Sequence, residues 1–242
     1  MKKEILISND YVLEDLDYPL YHIGSIDISK KSQNSYEGNG LSISICPSAW
    51  ERIAKISSST LWKLSKENIK LLDYYELPKS EYSNVRKWGV DNGYLEEVFG
   101  RYAYSYFCED LGRDYSILCD NLEEALDEAG IEDYYETYDD YLNSEDGDEE
   151  TIYPVKSFKP TDKLIKESLI SLDEGHSAVE QNFLLYLEKY TDYDGVYWEE
   201  ELDILGLSAP RGVIFNSRLN SFNKKLLPIN DPDKISNQLF DY

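Results

Sequence analysis

The chain has 242 residues, 41% of them hydrophobic, enough for one domain or a large plus a small one around a packed core. Its 24 Lys and Arg stand against 48 Asp and Glu, and a net charge of -24 disfavours ordinary nucleic-acid binding, because phosphate backbones are repelled. No apolar run approaches the roughly 20 residues that cross a bilayer, and the opening stretch turns acidic before a signal-peptide core forms. The expectation is a cytoplasmic protein that does not engage a membrane. Cys46, Cys108 and Cys119 make an odd set without a Cys-x-x-Cys, and His22 and His176 are the only histidines, so reduced thiols and no metal site are expected.

In chain order, a short extended segment spans Leu20 to Ile28. A Ser/Asn/Gly-rich loop runs from Lys31 to Gly40, and Leu41, Ile43 and Ile45 alternate as in a strand. Pro47 and the residues to Ala54 read as a helix start. Strands are expected at Thr60 to Leu64 and Ile69 to Asp73, then a helix from Lys79 to Asn92 that stops at Gly93. Tyr102, Tyr104 and Tyr106, followed beyond Gly112 by Tyr115, Ile117 and Cys119, predict a two-stranded hairpin, and Asn121 caps a helix from Leu122 to Ala129. Ser144 to Glu150 has no apolar periodicity and reads as a disordered acidic loop or linker. A helix from Ser177 to Tyr190 and strands at Gly195 to Trp198 and Gly212 to Phe215 complete an α+β pattern.

Charge segments the chain. Glu109 to Glu150 holds 18 acids and a single base, Arg113, and so carries 17 of the 24 net negative charges. The expected organisation is one fold in two halves, 1–98 and 161–242, interrupted by an acidic α/β insertion at 99–160.

Three constellations could carry chemistry. His22 in Tyr21-His22-Ile23-Gly24-Ser25 sits on an apolar strand, where a histidine is ordinarily a satisfied core residue but can also aim a donor and acceptor into a cleft, with Gly24 allowing close approach. Gly38-Asn39-Gly40-Leu41-Ser42 is a glycine-flanked turn entering a strand. It lacks the third glycine of a dinucleotide fingerprint and the Gly-Lys-Ser/Thr ending of a phosphate loop. In the third, Glu199, Glu200 and Glu201 follow an apolar strand, and Arg211 opens the next. No Gly-x-Ser-x-Gly elbow or His-Glu-x-x-His is present, and two histidines leave little for a hydrolytic triad.

In this order the three pieces resemble the ADP-ribosyltransferase superfamily, in which a His strand, a Gly-x-Gly-Leu/Ile-Tyr segment and a Glu strand surround NAD. Tyr193-Asp194-Gly195-Val196 and the pair Leu61 to Leu64 and Ile69 to Asp73 are similar to further strands of its phage and mobile-element members. The resemblance implies a split β-sheet, NAD as co-substrate and a macromolecular acceptor, as in an effector or toxin. It covers about residues 18 to 95 and 177 to 222, leaving out the acidic insertion.

The pattern is degenerate: Ile23 intrudes before the glycine, Ser42 stands for the stacking tyrosine and Arg211 for the glutamate. Breaking the nicotinamide–ribose bond builds positive charge on the sugar, which a carboxylate stabilises and an arginine opposes by several kcal/mol, roughly, at 4 Å and an effective dielectric near 20. The resemblance therefore implies Glu199 or Glu200 as the carboxylate and His22 as the ribose ligand. Gly24 and Gly40 would give backbone access, Ser42 would line the nicotinamide side, Tyr36 or Tyr21 would stack, and Arg211 would bind phosphate. The rival expectation is a binding protein: either a silent version of this fold, or an acidic mimic of nucleic acid that inhibits a host enzyme in an anti-restriction or anti-defence role.

Overall fold

The computed structural model describes residues 6–13, 19–27, 40–47, 60–108, 112–168, 178–198 and 211–227. The chain is mixed α+β and divides into two compact units: Met1–Leu95 with Pro160–Tyr242, and Glu96–Lys159. Among the described residues no helix is long and apolar enough to cross a membrane.

The first unit holds two sheets. Strands β1 (Leu20–Ile23), β3 (Leu61–Ser65) and β10 (Asn223–Leu227) form one in the order β1-β3-β10, antiparallel throughout. Strands β2 (Gly40–Ile43), β4 (Leu71–Asp73), β8 (Gly195–Trp198) and β9 (Arg211–Phe215) form the other, ordered β2-β9-β8-β4. Only the β4–β8 pair of this sheet is parallel. An isolated bridge links the two sheets: Tyr21 N–H donates to Ser44 O and Ser44 N–H to Tyr21 O, both at 2.9 Å.

Side chains alternate along these strands, so each face builds its own core. On one face Leu72, Val196, Trp198, Val213 and Phe215 pack with Val85 of helix α1 (Lys79–Asp91) and Phe183, Leu184 and Leu187 of helix α5 (Ala178–Tyr190). On the other, Leu20, Leu41, Ile43, Leu64, Tyr197 and Ile214 pack with Leu219, from a 3-10 turn at Asn216–Ser221, and with Phe222. The period of α5 does not select one stripe: residues 181–187 are all buried, as expected of an interior helix. It meets α1 where Gly89 leaves room for the Asn182 side chain, whose Nδ2 donates to Val85 O at 3.1 Å.

Tyr193-Asp194-Gly195 is a structural knot. Asp194, 2% exposed, accepts from Lys66 Nζ at 2.5 Å and from the Lys70 amide at 3.0 Å, while its own amide donates to Lys70 O. Its carbonyl accepts from Phe215 N–H, so one residue ties the β3–β4 turn to both β8 and β9. Gly195 is demanded by crowding, since a Cβ there would lie 1.8 Å from the Val213 carbonyl oxygen.

In the second unit, β5 (Leu95–Cys108) and β6 (Arg113–Cys119) form an antiparallel hairpin, Tyr102 opposite Cys119 and Tyr106 opposite Tyr115, and β7 (Ile152–Pro160) completes the order β6-β5-β7. Helix α2 (Leu122–Ala129) is capped by Asn121, whose Oδ1 accepts from Glu124 N–H at 2.9 Å. Helix α3 (Tyr138–Leu142) starts in a Thr137/Asp140 capping box. With acids in both first turns, the helix dipoles help to hold the negative charge. Ser144 to Glu150 differs from the disordered linker its composition suggests. The buried Tyr141 hydroxyl donates to Asp148 O and accepts from Asp148 N–H, and Thr151 Oγ1 donates to Asp148, so polar side chains substitute for an apolar stripe.

Further departures follow from periodicity. The first strand ends at Ile23 and not at Ile28, because Gly24 takes φ +118°; α3, β7, helix α4 (Asp162–Ser168), the 3-10 turn and β10 are too short or too polar to announce themselves. The helix expected after Pro47 lies outside the described residues.

Gly195→Ala is expected to cost about 3 kcal/mol or more in urea unfolding, because the backbone carbonyl it would strike cannot move away. Gly93→Ala, at φ +71° with nothing within 4 Å, should cost about 1 kcal/mol.

Candidate functional site

Where β1 and β2 part beyond the Tyr21–Ser44 bridge, the His22 ring fills the gap. Its Nδ1 lies 2.7 Å from Ser42 O and its Nε2 3.3 Å from Ser25 O, with the side chain buried. Both ring nitrogens thus face carbonyl oxygens, Nδ1 at the shorter distance and Nε2 at the longer. Gly24, next to this ring, is held by its backbone: its amide donates to Thr60 O at 2.9 Å, and its carbonyl accepts from Thr60 Oγ1 at 2.8 Å and Trp62 Nε1 at 3.0 Å. Among the described residues a Cβ at Gly24 would meet only His22 Nε2, at 3.6 Å. The residue thus supplies open space against the imidazole and no spare amide.

Ser42 joins His22 through its carbonyl; its side chain shares the face of Val213, its register partner. Gly40 is accounted for by packing, as a Cβ there would come within 1.9 Å of Val213 Cγ2. Backbone access for a ligand, the expectation from sequence, is not its evident role. Tyr36, Glu199 and Glu200 lie outside the described residues, as does Glu201.

Arg211 is on an adjoining strand but not beside His22. It opens β9 opposite Trp198, shares the face of Val213 and Phe215, and holds its guanidinium 4.9 Å over the Trp198 ring. His22, two residues from Leu20, lies on the other face. The strands therefore converge while the side chains divide, His22 with Gly24 and Ser42 O, Arg211 with an aromatic cluster.

That cluster was not anticipated. Trp198 lies 5.7 Å from Tyr74, which meets Tyr75, Tyr82 and Phe183 edge-on at 5.8, 6.0 and 6.1 Å. Tyr74, Tyr75, Leu77, Lys79, Tyr82 and Ser83 line a pocket of about 350 Å³. The signal was available in Tyr74-Tyr75-Glu76-Leu77-Pro78-Lys79, an aromatic pair in a turn before a helix whose first turns bring Tyr82 and Ser83 back to it. Burial raises the Tyr74 hydroxyl above its ordinary pKa, with Glu180 adding and Arg211 opposing. Burial, Tyr74 and Glu180 push Tyr82 further up. Burial also pushes Tyr193 up to about 12.

Among the described residues no cluster of three or more His, Cys, Asp or Glu could hold a metal. Comparison with protein-family models, curated proteins and solved structures returns no match for the chain.

The raised tyrosines set an alkaline limit. Their folded pKa exceeds the unfolded value near 10, so the stability they contribute is complete below pH 10 and is lost as pH climbs toward 12. Tyrosinate absorbance should show a fraction of the 22 tyrosines titrating only together with unfolding. Titration of all of them near pH 10 in the folded protein would contradict the burial argument.

Proposed function

We propose that the first unit is an ADP-ribosyltransferase-like core that binds NAD and transfers ADP-ribose to a macromolecular acceptor. The observation that carries this reading is the strand arrangement: β1 bridges to β2, and β2 pairs with β9, so the three segments of the sequence resemblance occupy adjoining strands although some 190 residues separate His22 from Arg211. A split between sheets beside His22 is where such a fold would receive the dinucleotide.

The residues fit NAD in part. His22 Nε2, 3.3 Å from Ser25 O, is the group to hydrogen-bond a ribose hydroxyl, and among the described residues a Cβ at Gly24 would meet this ring alone. Gly24 offers no free amide and Arg211 faces away, so neither holds nicotinamide or pyrophosphate in this reading. The carboxylate that steadies the sugar cation is assigned to Glu199 or Glu200, the residues that follow Trp198 in the sequence. NAD supplies the scissile nicotinamide–ribose bond. The chain supplies orientation at His22 and negative charge from Glu199 or Glu200.

The test is incubation of the protein with adenylate-labelled NAD and cell lysate, reading nicotinamide release and label transfer. The wild type is expected to give both. His22→Ala should abolish them while circular dichroism stays native, and Glu199→Gln/Glu200→Gln should reduce release by two or more orders of magnitude, roughly. Absence of nicotinamide release by the wild type across candidate acceptors contradicts the proposal.

A second reading is favoured by the charge of the Glu96–Lys159 unit, 20 acidic residues against four basic ones in a compact body of its own. Such a unit can occupy the basic groove of a nucleic-acid enzyme as a mimic of the phosphate backbone. Inhibition of a restriction endonuclease that fades as salt rises from about 50 to 200 mM supports it, and salt-independent inhibition or none contradicts it.

A further inference from the structure

We propose that the tyrosine-lined pocket before α1 is a second ligand site, distinct from the His22 gap, and that it takes a planar heteroaromatic ring bearing a negatively charged group, the chemistry of a nucleoside monophosphate. The walls argue for the ring. Tyr75 and Tyr82 both stand nearly perpendicular to Tyr74, at 83° and 85°, so three aromatic surfaces line the volume together with the buried Leu77. Tyr75 is 58% exposed, so part of its ring lies open to solvent and can stack on an incoming base. About 350 Å³ lies within the range of small-molecule sites, which are mostly apolar with a few placed polar groups.

The walls are also held in place. Trp198, 4% exposed, backs Tyr74, and Arg211 covers Trp198 in turn. Phe183 of the buried helix α5 supports Tyr82 at 5.0 Å. The Tyr74 and Tyr82 rings pack edge-on, their centroids 6.0 Å apart, which holds both rings in place before any ligand arrives. A preformed box of this kind spends little ordering entropy on binding.

An aromatic box can also receive an organic cation, and the surrounding charges decide between the two. Lys79 lines the pocket and has no ion-pair partner among the described residues, and Arg86 and Arg211 both act on the tyrosine hydroxyls. Glu180 is the one carboxylate acting on both. Of the described residues that line the pocket, Lys79 is the one that carries a charge, which favours a ligand with negative charge met at the rim, while Ser83 offers a hydroxyl to the sugar or base. This site stands apart from the NAD reading, since no pocket residue belongs to β1 or β2.

The probe is adenosine 5′-monophosphate, titrated against the whole chain while following tryptophan and tyrosine fluorescence, with adenosine and ribose 5-phosphate as parts of the ligand. Saturable quenching is expected with the monophosphate, weaker binding with adenosine and none with the sugar phosphate. Tyr75→Ala, at a half-exposed position that folding tolerates, should weaken binding about tenfold, the worth of one base–aromatic stack. Lys79→Ala should erase the preference for the monophosphate over adenosine. His22→Ala should leave the titration unchanged, and because this ligand lacks nicotinamide, failure here is separable from failure of the transferase reading. No saturable quenching up to millimolar ligand, or equal affinity in Tyr75→Ala, overturns the proposal. Tighter binding of tetramethylammonium than of the monophosphate also overturns it, in favour of a cation site.

Discussion

Two backbone hydrogen bonds between Tyr21 and Ser44 set the geometry on which the functional reading depends. They bring β1 against β2 at one point, and the strands separate at the next residue, where the His22 side chain replaces the backbone donor that a continuing ladder would have sent to Ser42 O. Each such bond contributes only about 1 kcal/mol net, yet an unmet buried carbonyl costs more than that. The imidazole is therefore a structural stopper as well as a candidate ligand group. With Nδ1 on Ser42 O, the same ring presents Nε2 on the side of Ser25 and Gly24.

The knot at Asp194 shows how a recognisable motif can have a mechanical cause. In Tyr193-Asp194-Gly195-Val196 the tyrosine hydroxyl donates to Ser8 O, the aspartate gathers the β3–β4 turn and β9, and the glycine lets β8 approach the Val213 carbonyl. All of these groups are engaged within the fold. The motif holds the central sheet in register, and through β9 it holds β2 in turn.

Strands of plain alternation and helices with a cap or a glycine stop were legible in the sequence: β2, β3, α1 and α2 with its Asn121 cap stand within a few residues of their expected bounds, and the β5–β6 hairpin is present although β5 begins earlier, at Leu95. What periodicity does not encode went unread. Tyr141 orders the acidic loop through one hydroxyl, and α3 is a single capped turn. At the candidate site, the proximity of the strands carrying His22, Ser42 and Arg211 follows the order of motifs, but the face each side chain takes depends on register, which no single strand reveals. The same register that turned Arg211 from His22 delivered it to Trp198, so the aromatic pocket and the departure from expectation have one cause.

Amide hydrogen exchange with and without NAD tests the central claim most directly, because it reads the place of binding and not only its occurrence. Dinucleotide bound where the sheets part should slow exchange at residues 22–27 and 41–46 and leave residues 96–159 unchanged. Protection confined to 96–159, or none anywhere at saturating NAD, would contradict the account.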